Sequence, residues 1–144
     1  MSEMNRRDFI KLAGVGGVVF ASALRSRAVG GSAFGAGYSE SDDFYFVQLS
    51  DTHWGFDGPA INPDSRGTLK KAVTAINGLE EKPDFVVFTG DLTHTTDDAK
   101  LRHDRMSEFR DIVAGLNVKT TRFMAGEHDA ALDRGDAYQK HFGK

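Results

Sequence analysis

Three strand-like runs separated by two longer helical patterns constrain the fold of this chain more than any other feature. The runs are residues 44–49, 84–89 and 120–125. They are rich in aromatic and β-branched residues and are bounded by polar residues or glycine, as buried strands are. Because each gap between them can hold a crossover helix, the pattern predicts an α/β fold of order β-α-β-α-β with parallel strands.

The two gaps show the spacing of amphipathic helices. Apolar residues recur at i, i+3, i+4 and i+7 over residues 69–79 in the first gap and over residues 101–116 in the second. Residues that favour helix N-termini precede both segments. The candidate caps are Asp64 or Ser65 for the first helix and Asp97 or Asp98 for the second. We therefore expect a helix between each pair of consecutive strands.

A short polar segment follows each predicted strand. The segments are residues 51–53, 90–92 and 126–129, and together they contain two histidines and four carboxylates. In an open parallel sheet, ligands bind beyond the carboxyl ends of the strands. The pattern therefore predicts that the three segments share one pocket.

The side chains in these segments suit a metal site. Asp51 and His53 are two residues apart in an extended chain, so a carboxylate and an imidazole face the same way, and this pair suits Mn, Fe or Zn. Asp91 can bind one metal with each of its two oxygens, and two metals can hold a bridging hydroxide and clamp a phosphate. His128 would donate a proton to the departing alkoxide, with Asp129 placed to orient it or tune its charge.

Taken singly, each feature also has an ordinary structural explanation. Asp-x-His and Gly-Asp are common in caps and turns, Asp129 suits a helix cap, and His128 suits a solvated loop. His94 follows the second segment and would contact a substrate phosphate, support a metal ligand or lie on the surface. Trp54 and Phe56 would line the pocket or pack the loop. Three such segments after three consecutive strands favour a shared site.

In this order, the three segments resemble the motifs of the calcineurin-like metallophosphoesterases, over about residues 44 to 130. The resemblance implies that Asp51 and His53 bind a first metal, that Asp91 bridges two metals and that His128 is the acid. It also implies an αββα sandwich that hydrolyses phosphate mono- or diesters through a metal-bridging hydroxide. The cofactors would be two divalent or trivalent ions, which would be Mn, Fe or Zn.

Two departures from the family's motifs bear on activity. Glu127 stands where the family has Asn, and as a metal ligand it would change metal affinity and hydroxide basicity. The family's later histidine blocks have no counterpart, so the resemblance implies the N-terminal half of the sandwich, with its second sheet missing. The alternative to a working phosphoesterase is an inactive fragment or a weak metal-binding remnant without turnover. A third hypothesis is a small α/β module that binds nucleotides or sugars without metal.

The N-terminal residues predict export. Arg6 and Arg7 precede an apolar, glycine-rich stretch at residues 12–24 that is short for a bilayer span. The paired arginines resemble the twin-arginine signal, which carries folded proteins across a prokaryotic membrane. We expect residues 1–37 to be this signal peptide and a flexible lead-in, and residues 38–144 to be the partial phosphoesterase domain. An uncleaved anchor or an ordinary N-terminal helix is the alternative.

Export by this route makes the twin-arginine machinery a partner. The processed protein would be periplasmic or extracellular in a prokaryote and would have no stable transmembrane span. The whole chain carries a net charge of −3, but residues 1–30 hold five basic and two acidic side chains, so residues 31–144 carry −6. This charge argues against nonspecific nucleic-acid binding. The resemblance to the phosphoesterase family implies a phosphoester substrate as the ligand. The lack of cysteine excludes disulfides, thiolate zinc sites and cysteine nucleophiles.

Overall fold

The computed structural model describes residues 19–23, by their backbone, and residues 44–143. Four strands and four helices lie in these ranges. In chain order they are β1 (Val19–Ala23), β2 (Tyr45–Leu49), α1 (Thr68–Asn77), β3 (Phe85–Thr89), α2 (Ala99–Val113), β4 (Thr121–Met124), α3 (Glu127–Ala130) and α4 (Asp136–Phe142). No helix within the described ranges has the length and apolar character that a bilayer crossing needs.

The sheet has the strand order β1-β2-β3-β4. Strands β2, β3 and β4 run parallel, with a helix in each connection, which confirms the predicted α/β fold and its β-α-β-α-β order. Strand β1 was not predicted. It pairs antiparallel with β2, so that Val19 lies opposite Leu49. Apart from β1, the signal peptide expected over residues 1–37, including Arg6 and Arg7, lies outside the described residues.

Helices α1 and α2 share one core with the sheet. Alternate residues of β2 and β3 are buried against them, as the period of two in a strand requires. Those residues are Val47, Leu49, Val86 and Phe88 from the strands and Leu69, Ile76, Phe109 and Val113 from the helices. The apolar residues predicted at helical spacing therefore form the core, and this core fixes the strand ends in place.

The other face of the parallel sheet also carries aromatic residues. Phe46 and Phe85 are cross-strand neighbours whose rings stack at a centroid distance of 4.8 Å. Phe44 stacks on both at 6.3 Å and is 54% exposed, and Met124 at the end of β4 is 55% exposed. This face is thus less covered than the face under the helices.

The start of one helix differs from the prediction. The first helix begins at Thr68 after Gly67, not after Asp64 or Ser65. The reason is a preceding turn, in which the Asp64 carbonyl accepts from the N–H groups of Gly67 and Thr68. For α2 the predicted cap is confirmed, because the Asp98 side chain accepts a 3.0 Å hydrogen bond from the Leu101 N–H.

Candidate metal centre

The loops after β2 and β3 run side by side beyond the sheet. The N–H groups of Asp51, His53 and Trp54 donate to carbonyl oxygens of residues 90–92 over 2.9 to 3.1 Å. In return, the Trp54 carbonyl accepts from the His94 N–H over 2.9 Å. Parallel pairing therefore continues past the strands and holds the two polar segments in register.

Three residues in these loops have a left-handed backbone. Asp51, His53 and Asp91 have φ values of +56°, +41° and +49°. Residues other than glycine rarely adopt this conformation, which costs about 1–2 kcal/mol per residue and clusters at functional sites. The paired loop backbones hold all three residues in it, and the result is that their side chains turn toward one another.

The side chains of these three residues form one candidate metal-ligand set. His53 Nε2 lies 3.9 Å from an Asp51 oxygen and 3.8 Å from Asp91 Oδ2. One ligand atom from each residue lies within 4.8 Å of the others. The second Asp51 oxygen accepts from the Ser50 hydroxyl, which orients the carboxylate. The predicted convergence of Asp51, His53 and Asp91 is thus present in the structure.

The third segment reaches this set through the Asp91 carboxylate. Its Oδ1 accepts a 3.0 Å hydrogen bond from the His128 N–H at the start of α3, while Oδ2 faces His53. Two glycines allow this close approach. A Cβ on Gly126 would lie 2.2 Å from the Asp91 N and Oδ1, and a Cβ on Gly90 would lie 2.9 Å from Gly126 Cα. Side chains at either glycine would push the two loops apart.

Three imidazoles also meet at this edge of the sheet. His53, His94 and His128 each place a ring nitrogen within 4.8 Å of the others, and the ring centroids of His53 and His128 are 4.6 Å apart. The Thr95 N–H donates to His128 Nδ1 over 3.2 Å. In a neutral His128 ring the proton is therefore on Nε2. His94 belongs to the site, as one of its sequence interpretations predicted.

Burial leaves two ring nitrogens without a partner. Nδ1 of His53 and Nδ1 of His94 are buried and accept or donate no hydrogen bond within the described part of the chain. Burial lowers the pKa of His94, and the positive charges of His128, His53 and Arg105 lower it further. The His53 nitrogen that faces the carboxylates of Asp51 and Asp91 is the other one, Nε2, and this set of imidazole and carboxylate donors fits a bound divalent cation.

Asp129 takes the second role that its sequence position suggested, that of a helix cap, because its carboxylate accepts from the Gly126 N–H at the start of α3. Its carboxylate is 1% exposed and accepts from the N–H groups of Leu92, Thr93 and Gly126, each over 3.0 Å. The Thr93 hydroxyl adds a fourth hydrogen bond at 3.3 Å. The carboxylate thus ties the second polar segment to the third, whereas the His128 ring takes its hydrogen bond from Thr95.

Glu127 was predicted to be a metal ligand and does not join either set of candidate ligands. It is the first residue of α3 and is exposed, because the helical backbone at this position directs its side chain to solvent. The described residues therefore bring together Asp51, His53, Asp91, His94 and His128, with Glu127 outside.

Sequence reasoning missed the residues that orient the ligands. Ser50 and Thr95 act on Asp51 and His128 through single hydrogen bonds. A serine next to a ligand in the sequence does not indicate that its hydroxyl will orient that ligand. A backbone N–H is present at almost every residue and so gives no indication either. Of the two aromatic residues after His53, Trp54 packs on the core and donates to Glu108 over 2.9 Å, which leaves Phe56 near the site.

Residues 44–144 match the calcineurin-like phosphoesterase family. The chain is also similar to serine/threonine-protein phosphatase CPPED1 of Danio rerio, with 32% identity over 100 residues. That match covers 62% of this chain and 32% of the relative, so the chain spans about a third of the relative's length. No solved structure gives a significant match.

Proposed function

The chain belongs to the calcineurin-like phosphoesterase family, and from this membership we propose that it hydrolyses phosphate esters at the site formed by Asp51, His53 and Asp91. The family supports a hydrolase that acts on phosphoester bonds and uses divalent metal ions. The observation that carries the proposal is the convergence of these three side chains, each held by a left-handed backbone, at the carboxyl end of the sheet.

Asp51, His53 and Asp91 would hold the metal. When bound, a pair of divalent cations would polarise the phosphoryl group and lower the pKa of the attacking water. A count of two ions is part of the proposal and rests on the family's motifs, since Asp91 Oδ2 faces His53 while Oδ1 accepts from the His128 N–H. Carboxylate and imidazole donors suit Mn, Fe or Zn.

His128 would supply the proton for the departing oxygen. The Thr95 N–H donates to Nδ1, so Nε2 is the ring nitrogen left to exchange a proton with the substrate. Asp129 would act as a positioning residue, because its carboxylate holds Gly126 and the backbone of residues 92 and 93 together. The substrate that fits these roles is a phosphate mono- or diester.

Metal titration and turnover test these roles together. We expect the purified chain with added Mn to hydrolyse p-nitrophenyl phosphate or its bis ester. Asp91→Asn should lose both metal and turnover, whereas His128→Ala should keep the metal and lose turnover. Asp97→Asn, an equal change of charge at an exposed position, is the control and should retain both. Full activity in Asp91→Asn and His128→Ala would contradict the assignment.

Metal binding without turnover is the second candidate. One observation favours it: Glu127, the residue expected to add a ligand, is exposed and outside the ligand sets. Stoichiometric Mn binding that depends on His53, with no hydrolysis of either nitrophenyl ester, would establish this alternative.

We also propose that the protein is exported by the twin-arginine route. Support comes from Arg6, Arg7 and the apolar residues 12–24. In a prokaryotic host with this pathway, the full chain should reach the periplasm or medium, and replacing both arginines with lysine should keep it in the cytoplasm. Equal export of both forms would contradict the proposal.

A further inference from the structure

A cavity of about 290 Å³ opens beside the candidate metal centre. Asp51, Thr52, His53 and His94 form the wall that belongs to the centre, and residues 56–68 supply the other lining residues. A phosphate bound at the centre would therefore project its organic group toward this cavity. The volume is at the small end of the range for ligand pockets, about 300–1,000 Å³, and so suits a single small ring better than a dinucleotide.

The wall that residues 56–68 supply carries no charge. Its polar lining residues are Asn62, Ser65 and Thr68, which have amide and hydroxyl groups. Nearby charged residues do not line the cavity and are paired: Arg66 bonds Asp57 over 2.8 Å, and Lys71 pairs with Asp64. Because residues 56–68 contribute no cation to the lining, a second phosphate or a carboxylate on the substrate would exchange its hydration for neutral amide and hydroxyl groups only, which disfavours a second charge.

The rest of the wall is apolar and includes an aromatic ring. Phe56 contacts the edge of His94 with a centroid distance of 5.1 Å and an interplanar angle of 68°. A Cβ on residue 58 would lie 2.2 Å from the Phe56 ring, so the ring occupies space that only Gly58 leaves open. Ile61, at the same wall, is 80% exposed. An exposed isoleucine beside a fixed aromatic ring offers apolar surface to a ligand.

We propose that this cavity, here called the Phe56 pocket, binds the organic group of the phosphoester and selects a small, flat and uncharged one, such as a phenyl ring. The inference rests on the proposed function, since the phosphate must bind at the metal centre for its ester group to reach the pocket. Phe56 and Ile61 supply the apolar contact. Asn62 and Ser65 tolerate an uncharged polar substituent.

Non-hydrolysable phosphonates test the pocket without turnover. We would measure the affinities of phenylphosphonate, methylphosphonate and 4-carboxyphenylphosphonate by calorimetry on the full chain with Mn. Burial of a phenyl ring should make phenylphosphonate bind at least about tenfold tighter than methylphosphonate. 4-Carboxyphenylphosphonate, whose ring holds the carboxylate away from the metal and in a pocket without a cation, should bind no tighter than methylphosphonate.

Variants locate the effect in the pocket. Phe56→Ala and Ile61→Ala should each reduce the preference for the phenyl ring to within about threefold, because each removes apolar contact area. Ile61 is exposed, so this substitution does not threaten the core. The matched controls are Phe44→Ala and Leu132→Ala, which shorten side chains that are 54% and 49% exposed and do not line the pocket. Both should keep the full preference.

The outcomes separate this inference from the proposed function. Equal affinities for phenylphosphonate and methylphosphonate would contradict the proposed selection of a phenyl ring by the pocket. They would remain consistent with phosphate binding at the metal centre. Tightest binding of 4-carboxyphenylphosphonate would overturn the claim that the pocket excludes charge. Failure of all three phosphonates to bind would count against the phosphate site itself, and with it the pocket.

Discussion

Two regions of the molecule differ in backbone conformation and in the partners of their buried groups. They are the loops beyond β2 and β3 and the core beneath the sheet. In the core, Val86, Phe88, Ile76 and Phe109 are fully buried and apolar, and they follow the regular spacing of strands and helices. In the loops, Asp51, His53 and Asp91 have a left-handed backbone. Two buried imidazole nitrogens there have no hydrogen-bond partner among the described residues.

This difference indicates which region supplies stability and which supplies chemistry. Buried apolar groups at regular spacing lower the free energy of the folded state. Left-handed non-glycine residues and clustered carboxylates raise it, and they persist because surrounding hydrogen bonds hold them. The core therefore stabilises a site that is unfavourable on its own. Relief of a left-handed loop residue and truncation of a core side chain should have opposite effects on the free energy of unfolding.

The largest effect is expected in the core. Phe88→Ala removes a fully buried ring that packs against Phe109 at 5.3 Å and Phe123 at 5.5 Å. The cavity should lower the free energy of unfolding by about 3–5 kcal/mol, measured by denaturant titration. Phe44→Ala, at a half-exposed position, is the control and should cost far less. Equal losses of unfolding free energy in the two variants would contradict the claim that the face under the helices supplies more stability than the other face of the sheet.

The next effect concerns the hydrogen bonds that join the site to the fold. Asp129→Ala leaves the N–H groups of Leu92, Thr93 and Gly126 without their acceptor. Unfolding free energy should fall by about 2–4 kcal/mol, and Mn affinity should fall with it because the Asp91 loop is released. Asp97→Ala, at an exposed position, should change neither quantity. Unchanged metal affinity in Asp129→Ala would show that this carboxylate does not position the site.

A smaller effect of opposite sign is expected at a left-handed residue. Asp51→Gly relieves a φ of +56° and removes one of two facing carboxylates. Without metal, the variant should be more stable than the parent by up to about 1 kcal/mol, and its Mn affinity should be lost. Asp104→Gly, in the interior of α2, should instead be destabilised. Loss of stability in Asp51→Gly would mean that the loop backbone is not under strain.

The smallest effect is a dependence on pH away from the site. His103 Nδ1 and His141 Nε2 lie 3.1 Å apart between α2 and α4. Burial lowers the pKa of His141 from 6.5, and the charges of His103, Arg110 and Lys140 lower it further. The stability from this group is thus complete above pH 6.5 and is lost as the pH falls through the lowered pKa, since the unfolded chain binds the proton more tightly.

The variant His141→Gln isolates the contribution of His141 to the pH dependence of stability. Denaturant titrations from about pH 7 to about pH 5 should show a smaller loss of stability in His141→Gln than in the parent. Identical pH profiles in the two proteins would exclude His141 as a source of acid sensitivity.

Much of the fold was predictable because local pattern and burial agree. The three runs became β2, β3 and β4 within one residue at each end, and Asp98 caps α2 as expected. Residue spacing also indicated that Asp51, His53 and Asp91 meet, since parallel strands end at one edge. The edge strand β1 was missed because its residues read as the apolar part of a signal.

The detailed roles within the third segment were not predictable. The sequence shows a carboxylate at position 129 but not which donors reach it, and the structure places three backbone N–H groups there. Likewise, Glu127 has the chemistry of a ligand, but its direction depends on where α3 begins. The Phe56 pocket depends on the path of residues 56–68, a segment with no periodic pattern.

Crystals of the chain equilibrated with Mn, analysed by anomalous diffraction, test the central claim most directly. We predict an anomalous peak at coordination distance, about 2.0–2.3 Å, from the carboxylates of Asp51 and Asp91 and from His53 Nε2. A map in which these three side chains bind no Mn at a saturating concentration, or in which the metal lies on other residues, would contradict it.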